Sequence, residues 1–322
     1  MRNQGCLWRW PKSALAFAAI AVIAPTLWAA TAIKRSHPPK WDNAAGADIF
    51  FPDARQELVG PRPTASTVAG GGSTGSADAG SSGSGGAAGG SFAWSHLISS
   101  DSLETEVKTI VRQLGETVRN PSSFTGGGYQ DARRQFSVLA VMFAIIAGYD
   151  SDVRWKQAAA SIRPLISRAG FNCKVGTDLS YREAKQRQED LEKLMRGEPP
   201  PGSRENESFT WDKVSGRPPL MQRLERAQRQ GLVLWTADSA QFQKNNAQFQ
   251  HEAELIAALS EVIGHEGYEY ADDDTYMEYT HAMRDAAIEA ADAARKKNYD
   301  QARKAVGAIE KTCNSCHEGF RS

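Results

Sequence analysis

The chain has no excess of charge of either sign. Its 38 Lys and Arg are balanced by 38 Asp and Glu, giving a formal net charge of zero, so there is no electrostatic reason to expect a nucleic-acid partner. Cysteine and histidine are also scarce, with 4 and 6 in 322 residues. No nucleophile and base pair, metal-binding cluster or phosphate-cradling glycine loop in a strand-turn-helix setting can be picked out, which argues against an enzyme. Long apolar runs are lacking except for one, Ser13 to Ala32.

That run follows Arg2, Arg9 and Lys12 and reads as an export signal or a single membrane anchor over residues 1–33. Ala30 and Ala32 suit a cleavage site. Lys34 and Arg35 directly after the run are unusual for a secretory signal and tilt the reading toward an uncleaved anchor. Either version places the remainder beyond the cytoplasm, on the periplasmic side of an inner membrane. Cys6 precedes the run without a lipobox-like pattern, so no lipid anchor is expected there. Residues 34–59 form a short extracytoplasmic segment containing Phe50 and Phe51. Residues 60–94 are mostly Gly, Ser and Ala, cannot bury a core, and read as a tether spanning roughly 30 Å or as an inert spacer. Cys173 stands alone, and burial as a small hydrophobe is its expected fate.

The most informative residues are Cys313-Asn314-Ser315-Cys316-His317. This is the c-type haem attachment pattern: two thiols add to the haem vinyl groups and the adjacent histidine ligates iron. A zinc half-site and a redox dithiol are the alternatives. Zinc normally takes four ligands, and no second Cys pair or His-x-x-x-His completes the shell. A thioredoxin-like dithiol belongs in a strand-to-helix turn, whereas this one closes a helix. Tyr299, Ala302, Val306, Ile309, Cys313, Cys316 and Phe320 recur at steps of three and four, the core seam of a packed helix, so both thiols are expected to point into a helical bundle.

Past the tether the chain reads as all-α, two tandem four-helix bundles. The second, residues 219–322, divides into Pro219–Thr236, Asn246–Ile263, Asp274–Lys297 and Asn298–Glu318. Its apolar stripes are Leu220, Leu224, Ala227, Gly231 and Leu234; then Phe249, Ala253, Ile256, Leu259 and Ile263; then Tyr276, Met283, Ala287, Ala290 and Ala294. The alanines of the third stripe suggest room for something bulky. The first bundle, 95–198, is related to the second by a constant offset: Tyr181, Ala184, Leu191, Glu192 and Lys193 stand 118 residues before Tyr299, Ala302, Ile309, Glu310 and Lys311, and Phe124 before Phe242. In that register Met195 replaces Cys313, and Glu198 and Pro199 replace Cys316 and His317, so the first bundle is expected to be haem-free. A Pro-rich linker, 199–218, separates the two.

A helical bundle of this size ending in a Cys-x-x-Cys-His-x-x-Phe-Arg tail resembles cytochrome c′ and its low-spin relatives, the class II c-type cytochromes, over residues 219–322. The specific part is Ala305 to Arg321. The resemblance implies one covalent haem c, thioether bonds at Cys313 and Cys316, His317 as proximal iron ligand, and Arg321 near a propionate, although a terminal Arg is usually just solvated. It also implies pairing through helix packing, here as an intrachain pseudo-dimer of the two bundles. In the family a first-helix residue covers the distal face, and Met221 is the one Met available there, with ordinary core packing as the competing reading. His251, His265 and His281 lie among polar neighbours and are expected to be exposed. The expected function is a membrane-tethered single-electron carrier serving redox proteins at or near the membrane, not an enzyme. The rivals are a five-coordinate haem protein that binds a diatomic gas (NO or CO) and a structural adaptor of a membrane complex.

Overall fold

The helix starts follow from local chemistry. Ser99 accepts a hydrogen bond from the Ser102 amide, Asp273 from the Thr275 and Tyr276 amides, and Asn298 from the Gln301 amide, each capping a long helix with a side-chain oxygen. Pro218 and Pro219 lie in the first turn of another, where a missing N–H costs nothing. The computed structural model describes residues 92–200 and 209–321; among these there are helices and no strand. The apolar run, the segment 34–59, Cys6 and all but the last residues of the 60–94 tether lie outside the described residues. Among the described residues no helix is long and apolar enough to cross a membrane.

The first set of helices is α1 (Ser100–Thr117), α2 (Tyr129–Ala147), α3 (Lys156–Asn172) and α4 (Asp178–Met195). A short α5 (Trp211–Val214) follows. In the second set α6 (Arg217–Arg226) runs on through a π-helical stretch (Ala227–Leu232) into a last turn (Val233–Trp235). Then come α7 (Ser239–Lys244), α8 (Asn246–Ile263), α9 (Asp274–Arg295) and α10 (Tyr299–Phe320). The apolar spacing therefore located the long helices of the second set to within a few residues.

The 118-residue offset recurs in the geometry. Asn120 and Asp238 each cap the turn leading to a fully buried phenylalanine, Phe124 and Phe242. Those rings meet Tyr181 and Tyr299 at 5.4 and 6.0 Å, and the two tyrosine hydroxyls donate to the carbonyls of Val118 and Thr236, both at 3.2 Å. In this register Met221 corresponds to Leu103, which is fully buried.

Several expectations need correction. Leu234 is 58% exposed, and Leu232 is buried instead. The wider π turn inserts extra backbone between Ala227 and Leu232 and moves the apolar stripe off the spacing of a regular α-helix. On α9, Ala287, Ala290 and Ala294 are fully covered where α8 and α10 pack closely along the helix. The stretch expected to be a bare linker also differs, since its second half is docked. Ser167 donates to the carbonyls of Lys213 and Val214, and the Tyr268 hydroxyl to those of Trp211 and Ser215. Trp211 stacks on His265 at 5.3 Å and meets Trp94 edge-on, so His265 is half-buried rather than exposed.

The two sets meet along α1 and α2 of the first and α6 and α8 of the second. At the centre Arg223 on α6 donates through Nε and Nη2 to both carboxylate oxygens of Glu106 on α1, at 2.7 and 3.1 Å, and through Nη1 to Glu252 at 2.6 Å. His251 Nε2 lies 3.2 Å from Glu106, so this histidine too is largely buried, in an ionic cluster. Nearby, Ser99 donates its amide and hydroxyl to Glu254, which also takes a bond from Arg295. Burial alone would raise the Glu106 pKa, but the Arg223 charge and the hydrogen bonds from His251 and Arg223 outweigh it and hold the carboxyl down at about 2.

A depressed carboxyl pKa contributes stability above the unfolded value of 4.5 that is lost as pH falls toward about 2. Glu106→Gln is expected to destabilise the protein by about 3 kcal/mol at neutral pH, because it leaves the buried Arg223 without its bidentate carboxylate partner. The difference from wild type in thermal midpoint, followed by circular dichroism, is expected to shrink as the pH is lowered from 4.5 toward 2; a difference independent of pH would contradict this account.

Candidate functional site

Along α10 the buried stripe Ala302, Val306 and Ile309 continues into Cys313 and Cys316, which are half-buried one turn apart. Cys313 packs against the core, with its sulfur 3.8 Å from the sulfur of Met283 on α9. His317 is exposed in the last turn, and Arg321 is exposed directly after it. Both cysteines are free thiols. Burial pushes the Cys313 thiol up to about 11, helped by Cys316 and Glu310 and opposed by Arg229; burial also raises Cys316, opposed by Arg217. Burial thus disfavours the thiolate form at both cysteines. It sits within a helix instead of at a strand-to-helix turn, and among the described residues no group of three or more His, Cys, Asp or Glu could hold a metal ion.

Aromatic rings surround the end of this helix. Phe320 meets Tyr270, Tyr276 and Tyr279 edge-on at 5.2, 5.5 and 6.3 Å. Tyr270 adopts a left-handed backbone with φ of 70°, a strained conformation for a bulky residue. Arg217 lies over the Tyr270 ring at 5.1 Å, pairs with Glu269 at 2.7 Å, and also hydrogen-bonds the Tyr276 hydroxyl. A well-anchored cation thus stands at the start of α6, within electrostatic reach of Cys316.

Met221 lies one turn after Arg217 on α6, half-buried and packed against the core. The start of α6 lies near the end of α10, because the Tyr270 ring beneath Arg217 also meets Phe320, and the π-helical continuation of α6 packs on α10. Among the described residues Arg321 has no side-chain partner. Among the histidines, His251 and His265 are held in the ionic cluster and on Trp211, and His281 is exposed. Sequence reasoning placed Tyr276 and Phe320 on their helix stripes but missed Arg217, Tyr270 and Tyr279. Arg217 was open to detection as the residue one turn before Met221 at the Pro-Pro helix start; Tyr270, in a loop, and Tyr279, off the α9 stripe, gave no periodic signal.

Two free thiols one turn apart on one face, a histidine directly after the second, and a sulfur-bearing residue on the helix alongside are a donor set that fits a covalently attached haem. The family model for cytochrome c′ matches residues 264–321, which take in α9, α10 and the loop ahead of them, and marks them as a class II c-type, haem-binding cytochrome segment. Met221 and α6 fall outside the matched residues. Comparison with curated proteins and with solved structures returned no match.

Replacing Cys313 and Cys316 together by Ala is expected to abolish haem that survives denaturing electrophoresis, as read by a haem peroxidase stain. Cys173→Ala is expected to leave the stain unchanged, because Cys173 is fully buried in the first set with its thiol pushed up to about 12 by burial.

Proposed function

We propose that the protein is a single-electron carrier with one covalently bound haem c, held through Cys313 and Cys316 with His317 as proximal ligand and Met221 as sixth ligand. The observation that carries this reading is the placement of Met221 on α6 one turn after Arg217, whose guanidinium lies over the Tyr270 ring that meets Phe320 at the end of the motif helix. The haem, when bound, supplies iron that cycles between ferrous and ferric states. The chain's own residues do the rest. Met283 and the α9 surface back Cys313, the tyrosines around Phe320 shield the end of α10, and Arg217 offers positive charge beside Cys316. Arg321, exposed at the end of α10, is the weaker candidate for contact with a propionate.

In this proposal the first set of helices is a diverged, haem-free copy of the second, and the two pack as an intrachain pseudo-dimer. The recurring caps, buried phenylalanines and tyrosine hydrogen bonds at the 118-residue offset support that reading. The protein would work on the periplasmic side of the inner membrane, held by an anchor or released after signal cleavage, and pass electrons among redox proteins there. The apolar run after Arg2, Arg9 and Lys12 supports this placement.

The second reading is a five-coordinate haem that takes up NO or CO, favoured by Leu220 and Leu224, which flank Met221 with buried apolar side chains. Absorption spectra of the purified holoprotein separate the two. The carrier reading expects a low-spin oxidised form and slow CO uptake in the ferrous form, with Met221→Leu converting it to high spin and fast CO binding. A wild-type protein that is already high-spin and binds CO rapidly would favour the gas-binding reading.

A further inference from the structure

The helix that presents Met221 is held mainly by the half of the protein that has no haem-attaching cysteines. Arg223 lies two residues past Met221. At about 100° per residue the two side chains leave α6 on nearly opposite faces. Arg223 is turned toward the first set, where its side chain is 10% exposed and its guanidinium grips both oxygens of Glu106 on α1. Arg217, four residues before Met221, shares the Met221 face and lies over the Tyr270 ring, which meets Phe320 at the end of α10. One side of α6 is therefore fastened to the haem-free half while the other faces the end of the helix that carries the motif.

That fastening matters because α6 is not a uniform helix. Its continuation is π-helical from Ala227 to Leu232, immediately beyond the gripped residue. A wide turn of this kind marks a place where the register of a helix can shift, and a shift of one residue would rotate Met221 by about 100°. The fork-to-fork pairing of Arg223 with Glu106 fixes both the height and the rotation of the helix, as a single-point contact would not. Glu252 on α8 takes the remaining Nη1 donor, and Gln222 meets Arg134 of α2 at 3.4 Å, so the residues around Met221 are tied into the interface on more than one side.

We propose that Glu106, on the haem-free half, is a positioning residue for the sixth coordination position of the haem-bearing half: by clamping Arg223 it sets the rotation of α6 and thereby the presentation of Met221. This rests on the carrier reading above, with Met221 as ligand. The first set of helices then has a definite task, which is to supply from outside the haem-bearing half the constraint on its distal helix.

The test uses the full-length holoprotein with four variants: Met221→Leu, Glu106→Gln, Glu106→Asp and Ser99→Ala. Ser99→Ala removes the hydroxyl bond to Glu254, another contact between the two halves, together with the cap of α1, while leaving the Arg223–Glu106 pair and α6 untouched. Each variant is checked for native helix content by circular dichroism, and the oxidised spectrum and ferrous CO association rate are then measured. Glu106→Gln is expected to shift the iron partly to high spin and raise the CO rate about 10-fold, as loss of a residue supporting a ligand typically does. Glu106→Asp, which keeps the charge but shortens the reach, is expected to fall between it and wild type, and it carries the test if the Gln variant does not fold. Ser99→Ala is expected to retain the wild-type spectrum. The inference alone is overturned if Met221→Leu changes the spectrum while both Glu106 variants stay low-spin with the wild-type CO rate, or if Ser99→Ala changes it as much as they do. If Met221→Leu changes nothing, the carrier reading falls and takes this inference with it.

Discussion

The contact on which the arrangement depends is the buried pairing of Arg223 with Glu106. A guanidinium and a carboxylate removed from water lose several kcal/mol of hydration each, and only good geometry with additional hydrogen bonds recovers it. Here the geometry is bidentate, Glu252 takes a further guanidinium donor, and His251 approaches the carboxylate. Such a cluster need not add much net stability compared with well-packed apolar residues. What it adds is specificity, since a carboxylate on α1 and a guanidinium on α6 tolerate few alternative alignments of the two sets.

Around that point the second set of helices is built by close approach. The alanines of α9 let α8 and α10 lie near its axis, so the core at this end is filled by backbone proximity and not by large side chains. Toward the end of α10 the packing changes character. Cys313 and Cys316 are only half-buried, His317 is exposed, and bulky rings from Tyr270, Tyr276 and Phe320 replace the alanines. The motif therefore lies toward the end of the helical stack, where aromatic rings take over from the alanines.

Much of this was legible in the sequence because its causes are local. Caps at Asp273 and Asn298, the prolines at the start of α6 and the three-and-four spacing on α8, α9 and α10 depend on neighbours within a turn or two. The five-residue motif and its place on the seam of α10 are of the same kind. What escaped is non-local or breaks the period. Glu106 and Arg223 are 117 residues apart, and nothing in the spacing of either stripe announces that they meet. His251 looked exposed because its sequence neighbours are polar, yet those neighbours lie in a buried cluster formed with another helix. Leu234 was misplaced because a π turn carries no reliable signature in composition.

The differences between the two sets have a physical logic under the duplication reading. Where the second set has Met221, the first has Leu103, fully buried; where the second has Cys313, the first has Met195, packed against the core. Leu103 and Met195 close with ordinary apolar packing positions that a cofactor would otherwise occupy, and a closed core resists deformation more than one with a removable centre. On that reading, a half without a cofactor keeps the same shape whether or not its neighbour is loaded, and the proposed hold on α6 through Glu106 would be in place before haem arrives. The haem-free half would then be the more suitable of the two to set the geometry of the other.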